Sequence, residues 1–318
     1  MRTHTELTGG VAGVETSSLP SIERHFMHRI AGGILICTLT LSVAAAQDKS
    51  ADKPDTPAER YKALLKEFNA AAHANWQATT DEERKQIVAR IENLPLRILE
   101  LVEEHPRDPI ALDALTQVVT QEYWLDNYSQ HPGWGKESRQ ARAIAMLLRD
   151  HIQSDKLDEA CRRVHLGFRQ ECETFLRTVL EKSLHREVRA AACLRLAQFL
   201  KSRWLRLDLL QDQPEMIRRY EGLYGKDYLD ALRRQDHKQV VAEAEAIFEQ
   251  AIEKYGDVKI PFGGGTVGET ARAELYVIRN LSVGKVVPEI EGEDQDGTRF
   301  KLSDYRGTVV LLYFWAQF

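Results

Sequence analysis

The stretch Thr56–Ala72, "TPAERYKALLKEFNAAA", carries the grammar of an amphipathic helix. The Thr56 hydroxyl is placed to accept an orphan amide of the first turn, Pro57 fills the first helical position, and Glu59 reaches back to the cap. Tyr61, Leu64, Leu65, Phe68 and Ala72 then fall on one face. The same pattern recurs downstream. Thr80-x-x-Glu83 opens a helix with the stripe Ile87, Ile91 and Leu94; Pro95 is expected to break it, and Ile98, Leu101 and Val102 to continue on a new axis. Asp108-Pro109 caps the next helix. Further amphipathic segments are expected near Ser138–His151, Thr174–Lys182, His185–Ser202, Pro214–Glu221 and Gln239–Tyr255, with no strand alternation between them. The pattern predicts a mainly α fold, a helical solenoid or bundle, over residues 57–282.

Ahead of the helices, residues 47–56 turn to Asp, Lys, Pro, Ser and Thr and read as a solvated linker. Residues 1–46 read as an N-terminal extension and a signal peptide. His28 and Arg29 follow Met27 as a positive start, the apolar run Ile30–Val43 comes next, and Ala44-Ala45-Ala46 fits a small-residue cleavage site. Export to the periplasm or cell envelope is the expectation, with Met27 as the true start. The run is short for a membrane span, which needs about 20 apolar residues; membrane attachment would come only through an uncleaved signal. Ile36 before Cys37 is not the small residue that a lipoprotein signal requires.

The chain has 318 residues, 43% hydrophobic and 29% charged, with a formal net charge of -5. That length and composition fit two globular domains behind a signal. Both signs of charge are spread through every segment, leaving no basic stripe for nucleic acid.

Several motifs invite chemistry and read better as structure. "PFGGGTVGE", Pro261–Glu269, is glycine-rich and precedes a helix, but it lacks the Gly-Lys-Ser/Thr ending of a phosphate loop and follows no strand. It reads as a flexible turn with Thr266-x-x-Glu269 as a capping box. His131-Pro132-Gly133-Trp134-Gly135 is a turn-rich loop whose Trp could meet a protein partner. The histidines are scattered, so no metal site is expected, and no cofactor is implied. Beyond the signal stand Cys161, Cys172 and Cys193, with no Cys-x-x-Cys. One pair could oxidise in an exported protein, while their Ala, Leu and Phe neighbours favour buried free thiols. None of the three is expected in the strand-tip, helix-start setting that activates a thiol.

Two helical segments resemble repeat proteins. "VVAEAEAIFEQAIEKYGD", Val240–Asp257, looks like the second half of a tetratricopeptide-type hairpin, and "EVRAAACLRLAQFLKS", Glu187–Ser202, looks like a helical-repeat core helix; no strict period joins them.

Residues 283–318 change character. Gly284 and Pro288 stand at an entrance, Asp296-Gly297 forms a turn, and Phe300 and Leu302 fall on a short strand. Ser303-Asp304-Tyr305-Arg306-Gly307 is a connection, and Val309–Trp315 reads as a buried central strand. This pattern resembles the start of a thioredoxin-fold domain of the redoxin type, the group of the AhpC/TSA proteins and the exported thioredoxin-like disulfide oxidoreductases. In that family the strand ends in Phe-Trp-Ala-x-aromatic and a Cys-x-x-Cys follows at once. Phe314, Trp315, Ala316, Gln317 and Phe318 match those flanking positions, so the resemblance implies a nucleophile immediately after Phe318 and no catalytic residue within the 318. Phe-Trp-Ala favours the dithiol branch over true peroxiredoxins. Tyr313 departs from the pattern, standing where many members carry a buried Asp that helps proton transfer.

The resemblance implies thiol:disulfide exchange with protein disulfides or a thiol reductant as partner, and an antioxidant role. On this reading the chain is an oxidoreductase cut short, a helical domain followed by an incomplete thioredoxin-fold fragment. Because UGA encodes selenocysteine as well as stop, a selenoprotein is one form of that reading. The alternatives are a non-enzymatic helical-repeat binding or scaffold protein with a redoxin remnant, and a decayed gene.

Overall fold

The computed structural model describes residues 56–128, 138–211, 213–262, 264–293 and 297–313. Residues 1–46, where a signal peptide was expected, residues 47–55 of the expected linker and the loop His131–Gly135 lie outside the described residues. What is described is mainly helical: eleven α-helices and one small two-stranded sheet.

The first helix, α1 (Pro57–Gln77), starts as its sequence dictates. Glu59 N donates to Thr56 Oγ1 at 3.2 Å, and Thr56 N donates back to Glu59 Oε2 at 3.0 Å. Thr80 caps α2 (Asp81–Glu104) in the same way, accepting from Glu83 N at 3.3 Å. Here the expected break is absent, because α2 runs unbroken through Pro95. A proline inside a helix costs about 3 kcal/mol or more. Ile91, Leu94, Ile98, Leu99, Leu101 and Val102 are all buried around it, and that gain outweighs the lost bond. One turn before the proline, the Glu92 carbonyl accepts from the Arg139 guanidinium.

Asp108 Oδ1 accepts from Ile110 N at 2.9 Å ahead of α3 (Ala111–Tyr128). Ser138 caps α4 (Arg139–Asp150), accepting from Ala141 N at 3.1 Å. Two short helices were not foreseen, α5 (Asp158–Val164) and α9 (Lys226–Arg233), while α6 (Gln170–Lys182), α7 (Arg186–Gln211) and α8 (Pro214–Tyr224) overrun the expected segments. Asp236 caps α10 (His237–Tyr255), and the Thr266/Glu269 capping box opens α11 (Val267–Asn280) as expected. Between them Ile260 N donates to Gly265 O and Val267 N to Val258 O, both at 2.9 Å, folding the glycine-rich stretch into a miniature hairpin.

One continuous core joins α1–α7, α10 and α11, from Tyr61 to Ile278. The helix α7 lies at its centre and packs against α5, α6, α8, α10 and α11. A satellite cluster forms where Phe168, Leu229 and Leu232 meet Tyr220, Tyr224 and Tyr228. The ring of Phe168 lies edge-on to Tyr220 at 5.3 Å, and Tyr228 Oη donates to the Phe168 carbonyl at 2.8 Å.

One buried ion pair and one half-buried histidine show how polar groups are held inside this body. Arg203, only 4% exposed, pairs with Glu173, which also accepts from Arg177 at 2.7 Å. Burial would raise the Glu173 carboxyl, but Arg203 and Arg177 hold it below the usual range. His165 Nδ1 lies 2.7 Å from the Arg162 carbonyl, which can only accept, so Nδ1 carries a proton. Burial, with Arg195 beside it, pushes the His165 pKa down to about 3.

A depressed histidine stabilises the fold fully above the unfolded value of 6.5, and that stability is lost as pH falls from there toward 3. Urea titrations at pH 7 and pH 5 are expected to show the wild type losing about 2 kcal/mol more than His165→Asn across that interval. Equal losses would show that His165 is solvated. Far-UV circular dichroism is expected to be dominated by helix, and Ile98→Ala to cost about 2–5 kcal/mol in the same titrations.

Candidate functional site

Strands β1 (Glu291–Glu293) and β2 (Arg299–Lys301) form an antiparallel hairpin in the register Glu291↔Lys301, Gly292↔Phe300 and Glu293↔Arg299. Gly292 has a steric reason to be there, since a Cβ at this position would lie 3.1 Å from the Phe300 ring that covers it. Lys301 Nζ pairs with Glu291 at 2.6 Å across the ladder. Gly297 holds a φ of 78° in the expected turn. Leu302, expected on the strand with Phe300, instead begins a 3-10 turn, Leu302–Tyr305. The cause is local. Asp304 Oδ2 accepts from Lys301 N at 2.9 Å and draws the chain into a turn immediately after β2.

A clamp not foreseen in the sequence holds this turn to the entry segment. Ser303 N donates to Glu289 Oε1 at 2.9 Å, and Leu302 N donates to the Ile290 carbonyl at 2.9 Å. The bonds from Ser303 keep the Glu289 carboxyl below its ordinary value. A Glu fourteen residues before a Ser carries no sequence signal, because only the hairpin brings the two together.

Val309–Trp315 was expected to be a buried central strand, and over Val309–Tyr313 it is neither strand nor buried. Its exposures still alternate: Val309 103%, Leu311 90% and Tyr313 80%, against Val310 42% and Leu312 44%. That period of two is the mark of extended chain. No neighbouring strand among the described residues offers a ladder, so strand geometry is not completed. Of the residues flanking the expected nucleophile, Tyr313, which departs from the redoxin pattern, is exposed, and Phe314, Trp315, Ala316, Gln317 and Phe318 lie outside the described residues.

Among the described residues the three cysteines form no disulfide and are fully buried. Burial pushes the Cys193 thiol up to about 12 and the Cys161 thiol well above the ordinary range, with Asp158 adding to the latter. Cys193 Sγ donates to the Ile247 carbonyl at 3.6 Å. Contrary to the expectation for all three, Cys172 does stand in the first turn of a helix, as the third residue of α6. It remains enclosed: Sγ donates to Gln140 Oε1 at 3.4 Å, and a Cβ on Gly167 would come within 2.5 Å of it. A helix-start thiol without solvent access cannot reach a substrate disulfide.

Among the described residues, no group of three or more His, Cys, Asp and Glu side chains is arranged to hold a metal ion. No described helix is long and apolar enough to cross a membrane. Compared with models of protein families, with curated proteins and with solved structures, the chain has no match.

The burial of the thiols makes a direct prediction. A disulfide reagent such as DTNB is expected to leave Cys161, Cys172 and Cys193 unmodified in the native chain and to titrate all three after unfolding, and the 318-residue chain is expected not to reduce insulin. Insulin reduction that disappears on Cys172→Ser would overturn this account.

Proposed function

We propose that this chain is the leading part of an exported thiol:disulfide oxidoreductase of the redoxin group, with a tetratricopeptide-like helical domain preceding a thioredoxin-fold domain. One observation carries the reading: the run Gly284–Ala316, with its hairpin, its Ser303–Gly307 connection and an extended apolar segment leading to Phe-Trp-Ala, in the order that the opening of such a domain requires. In this proposal Val309–Trp315 becomes a rigid mount when flanking strands pair with it. A cysteine or selenocysteine directly after Phe318 would start a helix, where the amides and dipole stabilise the thiolate or selenolate. That nucleophile attacks one sulfur of a protein disulfide, forming a mixed disulfide and expelling the other sulfur as thiolate; the cysteine three positions later then attacks the nucleophile's own sulfur or selenium, releases the substrate's second sulfur as thiolate and closes the new intramolecular bond. The substrate class is protein disulfides or a thiol reductant, the compartment is the periplasm or envelope, and the role includes antioxidant defence.

A second reading has an observation of its own in favour. The helical core is continuous from Tyr61 to Ile278 and takes no buried residue from the described residues after Val283. A body with a self-contained core can act as a binding or scaffold module by itself.

The nucleotides after the Phe318 codon separate the two readings. The oxidoreductase reading expects UGA there, followed in frame by two residues, a cysteine and roughly a hundred further residues of βαββα pattern. A cysteine-coding continuation in a shifted frame would support an ordinary dithiol enzyme. UAA or UAG with no thioredoxin-like continuation in any frame would remove the oxidoreductase reading. The scaffold reading expects deletion of Gly284–Phe318 to leave a folded, monodisperse protein that still retains its partner in pull-downs.

A further inference from the structure

A cavity of about 140 Å³ lies between α5, α7 and the turn that carries Pro261. By liquid volume it has room for four or five waters, at about 30 Å³ each. Its charged lining is unbalanced. Arg162 is already held by Asp158 at 2.5 Å and by Glu159. Arg195 also lines the cavity, and none of the described carboxylates lies within ion-pair distance of it. The acids nearest in its field are engaged elsewhere, Glu274 by Lys201 at 2.6 Å and Glu159 by Arg162 and Arg163. Of the five N–H donors of its guanidinium, Arg195 gives one to Gln198 Oε1 at 2.7 Å. Glu187 lines the same cavity two turns earlier on α7, and no ion pair joins it to Arg195.

Phe262 follows the lining residue Pro261. It is 94% exposed, and its φ of 63° is one that residues other than glycine seldom adopt. The ring lies 5.8 Å from the Arg162 guanidinium, a cation–π contact that keeps the aromatic near the lining residues. A cation without an ion-paired acid and an apolar ring in water therefore both lie near Arg162. One ligand chemistry satisfies both.

We propose that this cavity recognises a protein segment bearing an acidic side chain, its carboxylate seated against Arg195 and a neighbouring apolar side chain laid on Phe262. A guanidinium offers paired donors to a carboxylate in a fixed fork, and in a partly enclosed cavity that pairing is stronger than in open water. Burial and the proximity of Arg162 both weaken the hold of Arg195 on its proton, and an incoming carboxylate relieves this strain. A small free acid would fill the cavity and leave Phe262 in water; a peptide covers both. This proposal stands apart from the redoxin reading, since it uses no residue after Val267.

The test is selection on the full chain from two displayed pentapeptide libraries, one with a fixed central glutamate and one with a fixed central glutamine. Enrichment is expected from the glutamate library alone. The selected peptide, measured by fluorescence anisotropy, is expected to bind about tenfold or more weakly to Arg195→Gln and several-fold more weakly to Phe262→Gly. The glycine keeps the backbone conformation of the turn, so this second variant stays informative if Arg195→Gln fails to fold by circular dichroism. The proposal is overturned by the absence of glutamate-dependent enrichment, by undiminished binding to either folded variant, or by N-acetylglutamate competing as well as the selected peptide.

Discussion

The structure depends on the burial of α7. Val188, Ala190, Ala192, Cys193, Leu194, Leu196, Ala197, Phe199 and Leu200 are all buried, and together they cover roughly two thirds of the helix circumference, leaving a polar strip of Glu187, Arg195, Gln198 and Ser202. An apolar face that wide cannot be covered by one neighbour and must be flanked by several helices. The surrounding helices α5, α6, α10 and α11 meet that requirement, each presenting one apolar stripe inward. Alanine and cysteine in α7 keep its profile thin, so neighbouring helices approach closely while Phe199 and the leucines fill the gaps between them.

Enclosing α7 also encloses Arg203, which α7 carries near its C-terminal half. A buried guanidinium is costly without a partner, and removing one member of a buried pair costs far more than the pair contributes. Glu173 on α6 supplies the partner, the Phe199 ring lies 5.1 Å below the guanidinium, and Arg177 ties the same carboxylate outward to Glu243 on α10. Three helices are thereby fixed in angular register by one acid. Leucines at the same positions would pack without specifying that register, which gives the pair a structural use beyond any net stabilisation.

What was legible in the sequence was what local chemistry decides. Thr56, Thr80, Ser138 and Thr266 mark helix starts because a cap needs only its own first turn, and all four accept the bonds their spacing implies. Pro95 misled because the cost of a proline is local and visible, whereas the compensating burial of Ile98 and Leu99 against other helices is not. The short helices α5 and α9 span about two turns each and have no periodic stripe long enough to register. Arg195 and Phe262 gave no signal at all. The glycine-rich stretch was correctly read as a turn with a capping box, but an arginine is isolated only when each acid around it is known to be occupied. That is a property of assembled helices.

The segment after Val283 obeys a different balance. Its order comes from backbone bonds, the Glu289–Ser303 clamp and exposed ion pairs such as Lys301–Glu291, and pairs of that kind contribute about 0–1 kcal/mol each. Two strands alone are marginal in water. Against this small gain, Val309, Leu311 and Tyr313 leave large apolar surfaces exposed along an extended edge, the arrangement that natural sheets cover or blunt. The helical body is stabilised by what it has enclosed; the hairpin and the run after it would gain most from strands that pair with them. A further strand beside Val309–Tyr313 would satisfy the backbone of an extended run and bury its alternating side chains at once, which is why the same residues that expose this segment also make it the natural centre of a larger sheet.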